Sequence, residues 1–295
     1  MLSYRLTLTA AVAASVTVTL GASAAVTTDS LLYNWDGDGQ NATTWDSSSP
    51  GSSSRTWTFS DNGSDDATIV QGPAVSTTSI NQGYTFAGGF AETTAFDPLA
   101  NDASFEVWFR PTDLTGREVL FETGGSANGA FLTLNNATVQ FGVKFDDGPG
   151  EDPPDNLVTH DLTAADILDF VQIVGVIDPS AGSLLLYVNG VTDATPGTAD
   201  AVSLGSTNWG GGNLAGLGGK GQGQTGGTNE VGSGPAATQD NYTTLLGQIG
   251  IVRVYNDALS GAEVAANFNA VVPEPASLAL LAAGGLCLLG RRRRA

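Results

Sequence analysis

The chain is poor in the side chains that carry most enzyme chemistry. It has one cysteine, one histidine and one methionine in 295 residues. A single cysteine excludes an intrachain disulfide and a thiolate zinc site. A single histidine excludes metal centres built on several imidazoles. Positive charge is scarce too: 11 Lys and Arg stand against 30 Asp and Glu, a net charge of −19. Such a surface repels phosphate backbones, which argues against nucleic acid as a partner. Helical periodicity is nearly missing. What fills the chain instead is glycine, at 39 residues, and 41% apolar side chains, enough for one sizeable core.

The two ends read as addresses. Arg5 opens residues 1–24, and Leu6 to Leu20 is an apolar run broken only by Ser and Thr. Ala22, Ser23 and Ala24 form a small-residue cleavage pattern, so a secretory signal peptide cut before Ala25 is expected. The other end, 272–295, holds Pro273, Glu274 and Pro275, then an apolar stretch at 276–290, then Arg291, Arg292, Arg293 and Arg294. Fifteen apolar residues fall short of the roughly 20 that a full span needs. A short membrane helix is nevertheless expected there, with the arginines holding its end on the cytoplasmic side. Cys287 lies inside it and reads as apolar filler, with lipidation as the alternative. Without both ends the body, 25–272, has 29 acids and six bases, a balance of −23.

The order of Pro-Glu-Pro, apolar run and arginines resembles the PEP-CTERM sorting signal. That resemblance implies an exported protein held briefly in the inner membrane. An exosortase-type enzyme would then process it and send it to the cell surface or extracellular matrix.

The body reads as all-β. Phe105, Val107 and Phe109 alternate with Glu106, Trp108 and Arg110, which predicts a strand with the two sets on opposite faces. Phe141, Val143 and Phe145 repeat the pattern with Lys144 outward. Phe170 to Ile177 is apolar on both faces apart from Gln172, as in a strand inside a two-sheet core. Asn189-Gly190 after Ser183 to Val188 predicts a tight hairpin, and Ile249 to Tyr255 a last long strand. Ser260 to Phe268 alone looks helical, with a Ser N-cap and Glu263 in the capping-box position. Residues 205–234 contain 13 glycines and predict a long mobile loop.

Three segments in order resemble the laminin-G-like, concanavalin A-like jelly roll. They are Ser104 to Pro111, Gly182 to Val191 and Gly250 to Asn269. The resemblance implies a two-sheet antiparallel sandwich over 25–271. Relatives are most often carbohydrate- or protein-binding modules; some bind calcium, and a few are glycosidases. Where many relatives have a Trp, this chain has Phe170.

Candidate sites follow from residue chemistry. Glu106 stands alone, without the paired acids of a retaining glycosidase, and a salt pair with Arg110 is expected. His160 is expected in an exposed polar turn, without the Gly-x-Ser-x-Gly elbow of a hydrolase. No catalytic residue is therefore assigned. Asp146, Asp147, Glu151, Asp152 and Asp155 form an acidic, proline-rich loop that could hold Ca²⁺, which takes six to eight hard oxygens. Asn34, Asp36 and Asp38 begin like an EF-hand loop, but Trp45 stands where its closing Glu belongs. Trp57 and Trp108 are expected in the core. Trp45 and Trp209, in polar and Gly-rich surroundings, are candidates for stacking on a sugar ring. The expectation is thus an exported, noncatalytic polysaccharide-binding module. A structural or adhesive matrix protein is the alternative, and a glycoside hydrolase a third reading.

Overall fold

Alternating side chains build two stacked sheets. The computed structural model describes residues 26–37, 43–48, 50–60, 68–74, 76–96, 102–124, 129–144, 156–192, 197–198, 214–221 and 243–272. All belong to the unit Ala24–Pro273. The first sheet runs β14 (Val191–Thr192), β13 (Ser183–Val188), β12 (Val171–Asp178), β7 (Ala103–Pro111), β18 (Leu246–Tyr255), β5 (Gln82–Ala87) and β4 (Thr68–Pro73). β1 (Leu31–Asp36) also pairs with β18, and β15 (Gly197–Thr198) with β13. The second sheet runs β11 (Asn156–Asp161), β10 (Thr138–Lys144), β9 (Gly129–Asn135), β8 (Arg117–Glu122), β16 (Ala215–Leu217), β6 (Phe90–Thr93), β3 (Thr56–Ser60) and β2 (Thr44–Asp46). β17 (Thr243–Thr244) pairs parallel with β8; the other ladders are antiparallel.

The core lies between the sheets. Phe105, Val107 and Phe109 of β7 and Val171, Ile173 and Ile177 of β12 meet Leu132, Leu134, Phe141 and Val143 of the second sheet. Gly175 makes room for the Phe141 ring, which sits 2.4 Å from where a Cβ would stand. The aromatics Trp35, Trp45, Trp57 and Phe121 belong to the same core, with Trp57 packed against Trp35 and Phe121. Asn189 and Gly190, at φ 51° and 80°, make the tight turn that their sequence predicts.

The outer face of the first sheet is partly covered by the helix Gly261–Val271. Ser260 caps it, accepting from the Glu263 amide while Glu263 accepts from Ser260. Beneath it Glu106 is 0% exposed. Its Oε1 accepts from Arg253 Nη1 at 3.1 Å, Trp108 Nε1 at 2.7 Å and Gln172 Nε2 at 2.8 Å. Its Oε2 accepts from Tyr255 Oη at 2.9 Å and Asn267 Nδ2 at 3.2 Å. The expected pair with Arg110 is corrected: the adjacent strand β18 places Arg253 directly opposite Glu106. Register between strands decides this contact, not spacing along one strand.

One part of the expected fold class is also corrected. The sandwich is found, but no helix among the described residues is long and apolar enough to cross a membrane. The 11-residue helix Gly261–Val271 spans about 16 Å, against a hydrocarbon core of about 30 Å. The stretch 276–290 lies outside the described residues.

Candidate functional site

The second sheet presents a polar outer face. In β3, Trp57 and Phe59 point into the core while Thr56 and Thr58 point away. Pairing with β2 and β6 carries that alternation sideways, so Thr44, Thr58, Glu92, Gly216 and Glu122 form one row across five strands. A groove of about 670 Å³ lies over this face, lined by Asp46, Ser47, Ser54, Arg55, Glu92 and Thr94 among others. Thr56 donates its hydroxyl to Asp46 Oδ1 at 2.5 Å. The Arg55 guanidinium lies over the rings of Phe96, at 4.3 Å, and Tyr33, at 5.0 Å. It also donates to the Thr94 carbonyl, to Thr94 Oγ1 at 2.9 Å and to the Ala95 carbonyl at 3.1 Å. Arg55 is thus a fixed part of the groove wall. Hydroxyls, two carboxylates and one guanidinium make a surface suited to hydrogen bonding with a polyol.

Glu122 sits at the end of the row and is 4% exposed. Its Oε1 accepts from the Gly221 amide at 2.8 Å and its Oε2 from the Gly124 amide at 2.6 Å. Burial pushes this carboxyl up to about 7. The backbone hydrogen bonds oppose the shift, as does the Lys220 charge, while Glu92 adds to it. Roofed by Gly221, Glu122 is nearly closed to solvent and is not among the residues that line the groove. On the same strand Glu118 is 6% exposed. Its carboxyl is likewise pushed up to about 7 by burial, against the Leu246 amide that donates to it.

The sequence candidates fall as follows. Trp45 is 0% exposed. Its indole N–H donates to the Asp36 carbonyl at 2.8 Å and its ring packs on Tyr84 at 4.7 Å. Its place is therefore the core rather than a solvent-facing platform. Trp57 and Trp108 are buried as expected. His160 is not in a turn: it lies in β11, half-buried and paired with Val139. Asn34 Oδ1 accepts from Arg253 Nε at 3.0 Å, and Asp38 lies outside the described residues. Asp146, Asp147, Glu151, Asp152, Asp155, Trp209, Pro273, Glu274, Pro275 and Arg291 to Arg294 lie outside the described residues. Within the Gly-rich stretch, 214–221 is no mobile loop: Ala215–Leu217 is a buried strand of the second sheet. Among the described residues no group of three His, Cys, Asp or Glu could hold a metal ion.

Sequence reasoning missed Arg55, Glu92 and Glu122. The Thr-Trp-Thr-Phe alternation at 56–59 was a usable signal for the groove face. Nothing local marked Glu92 and Glu122, because β16, the strand between them, is distant in sequence.

The solved structures similar to this chain share its fold at low identity. Domain 4 of AbnA, a GH43 extracellular arabinanase from Geobacillus stearothermophilus solved with arabinotriose, is 15% identical with a TM-score of 0.51. That match covers 80% of this chain and 97% of the domain. The binding domain of botulinum neurotoxin DC, solved with rat synaptotagmin II, is 8% identical with a TM-score of 0.54 and 82% of this chain covered. The binding domain of Paraclostridial Mosquitocidal Protein 1 is 12% identical with a TM-score of 0.53. This chain spans about half the length of the two toxin domains, 52% in each case. No curated protein compared with the chain matches it. The PEP-CTERM protein-sorting motif matches residues 271–294, which marks the protein for export and exosortase-type processing. The model of the concanavalin A-like lectin/glucanases superfamily matches residues 87–265, more than half of the chain. The chain therefore belongs to the concanavalin A-like lectin/glucanases superfamily, as an exported member.

Proposed function

We propose that the protein binds a neutral polysaccharide along the outer face of its second sheet, at the cell surface or in the extracellular matrix. The observation that carries this reading is the hydroxyl-lined groove over β2, β3 and β6. Sugar hydroxyls exchange hydrogen bonds with water for hydrogen bonds with Thr, Ser and carboxylate oxygens, and fixed groups such as Arg55 lower the ordering cost. The body charge of −23 argues against polyanionic glycans. The arabinotriose bound to the arabinanase domain makes neutral oligosaccharides the first probes. A transient inner-membrane stage before processing belongs to the same reading, with the sorting motif as its support. Two further elements are Ca²⁺ on the acidic loop, 146–155, and ring stacking by Trp209. Both are supported by residue chemistry alone.

The test is calorimetric titration of the purified protein with neutral arabino-, xylo-, gluco- and mannotrioses, with and without calcium. Saturable binding is expected, weakened at least about tenfold in Thr58→Trp, which fills the groove, and in Asp46→Ala. Binding to no member of the panel, together with self-association, would favour the adhesive matrix role instead.

A further inference from the structure

The outer face of the first sheet carries a second, smaller cavity beside the helix. Its volume is about 220 Å³, and both ends of the body line it: Val26 near the start, Ala270 and Val271 near the end. β1 supplies Asp36, β18 supplies Arg253, and residues 79–82 add uncharged side chains. The segment that brings Val26 here is fixed. The Thr27 amide donates to Asn267 Oδ1 at 2.8 Å. Asn267 is 0% exposed, and its Nδ2 donates in turn to Glu106 and Tyr255.

Asp36 is fixed as well. The Trp45 indole donates to its carbonyl. The next residue, Gly37, packs so closely that a Cβ there would stand 2.3 Å from the Gln82 carbonyl oxygen. Among the described residues, Asn34 Nδ2 at 3.3 Å and Ser48 Oγ at 3.0 Å both donate to Asp36 Oδ2. Oδ1 is left for a further donor. Of the residues that line the cavity, only Asp36 and Arg253 carry charge. Arg253 is committed to Glu106 and Asn34, so its charge is already balanced by a carboxylate. Asp36 is the charge that remains, and the cavity suits one small cation with hydrogen atoms to donate.

The chain supplies such a cation itself. Cut before Ala25, the mature protein begins with an α-ammonium no more than about 5 Å from the Val26 Cα. In the precursor the same nitrogen is an uncharged amide. We propose that this cavity is the seat of the mature amino terminus, whose α-ammonium pairs with Asp36 once the signal peptide is removed. The proposal rests on cleavage before Ala25 and is independent of the glycan groove. Removing the signal thus tightens the corner of the body in which residue 271, the first of the matched sorting motif, is packed.

The test follows the reactivity of that amino group in the exported protein. Mass analysis first reads the terminus; one other than Ala25 overturns the proposal. Acetylation rates against pH then give the pKa of the Ala25 amino group, which for an ordinary α-amino group is about 7.7–8.0. A value about one pH unit higher or more is expected, with acetylation at pH 7 at least about tenfold slower than in the unfolded chain. The acidic body lifts every amino group somewhat. Asp36→Asn, which removes one charge and keeps the shape of the side chain, therefore carries the comparison. In that variant the pKa is expected to fall by about one pH unit. A version with Gly-Ser ahead of Ala25 leaves Asp36 intact and carries the ammonium about 7 Å away. It is expected to show an ordinary amino group and to melt about 2–4 °C below the unextended protein. An ordinary pKa in the unextended protein, or a raised one that survives Asp36→Asn, overturns the pairing. A raised pKa that persists with the Gly-Ser extension belongs to the overall charge and overturns the seat.

Discussion

At the scale of single residues, Glu106 is held by five side-chain donors. Burial alone would push its carboxyl up. Arg253 beside it, with hydrogen bonds from Gln172, Trp108 and Tyr255, instead holds it below the usual carboxylate range. Removing one partner of such a pair leaves the other charged and buried, at a cost of about 3–5 kcal/mol. Glu106→Ala is therefore expected to lower the melting temperature on the order of 10 °C, as calorimetry would show. Arg253→Met combined with Glu106→Leu, which removes both charges, is expected to recover much of that loss. Glu106 was legible in the sequence as a solitary strand acid. Its partner was not, because β7 and β18 are far apart along the chain and meet only through sheet pairing.

At the scale of elements, the helix Gly261–Val271 was the most legible feature. Its N-cap and capping box are local signals, and the structure reproduces both. Ser260→Ala removes the cap and is expected to cost about 1 kcal/mol in denaturant unfolding. The β13–β14 hairpin was legible for the same reason. Gly190 takes φ +80° and a Cβ there would meet Phe268 at 3.1 Å. Gly190→Val is accordingly expected to destabilise by about 1–3 kcal/mol, strain and helix displacement acting together. β16 was not legible. Its three residues lie in a glycine-rich run whose composition suggests a loop, and they form a strand because β6 and β8 leave a gap that their backbone fills. The same limit applies to Trp45, whose polar sequence neighbours conceal its packing against Tyr84.

At the scale of the whole molecule, pH acts on the fold from both sides. Glu118 and Glu122 are pushed up to about 7 by burial, so their contribution is full below about 4.5 and is lost as pH rises through about 7. Glu106, held low, contributes above its ordinary value and is lost as pH falls through its lowered one. Thermal stability is therefore expected to peak near about pH 5–6, in a series of melts across pH. The double variant E118Q/E122Q should flatten the alkaline limb only. Export makes a separate prediction at this scale. Glu274→Ala, inside the matched sorting motif, is expected to leave the tail uncut, read as an unprocessed mass in the envelope fraction.

The sequence by itself determined what local chemistry can specify: strands by alternation, the helix by its cap, the hairpin by Asn-Gly, and the address by an ordered tail. It also excluded an intrachain disulfide, a thiolate zinc site and metal centres built on several imidazoles, since the chain has one cysteine and one histidine. Tertiary structure alone decided which strands neighbour one another. Glu106 with Arg253, and Glu92 with Gly216 and Glu122, are consequences of that order. The groove exists because a sheet brings side chains from distant strands onto one face, and no spacing along the chain encodes that assembly.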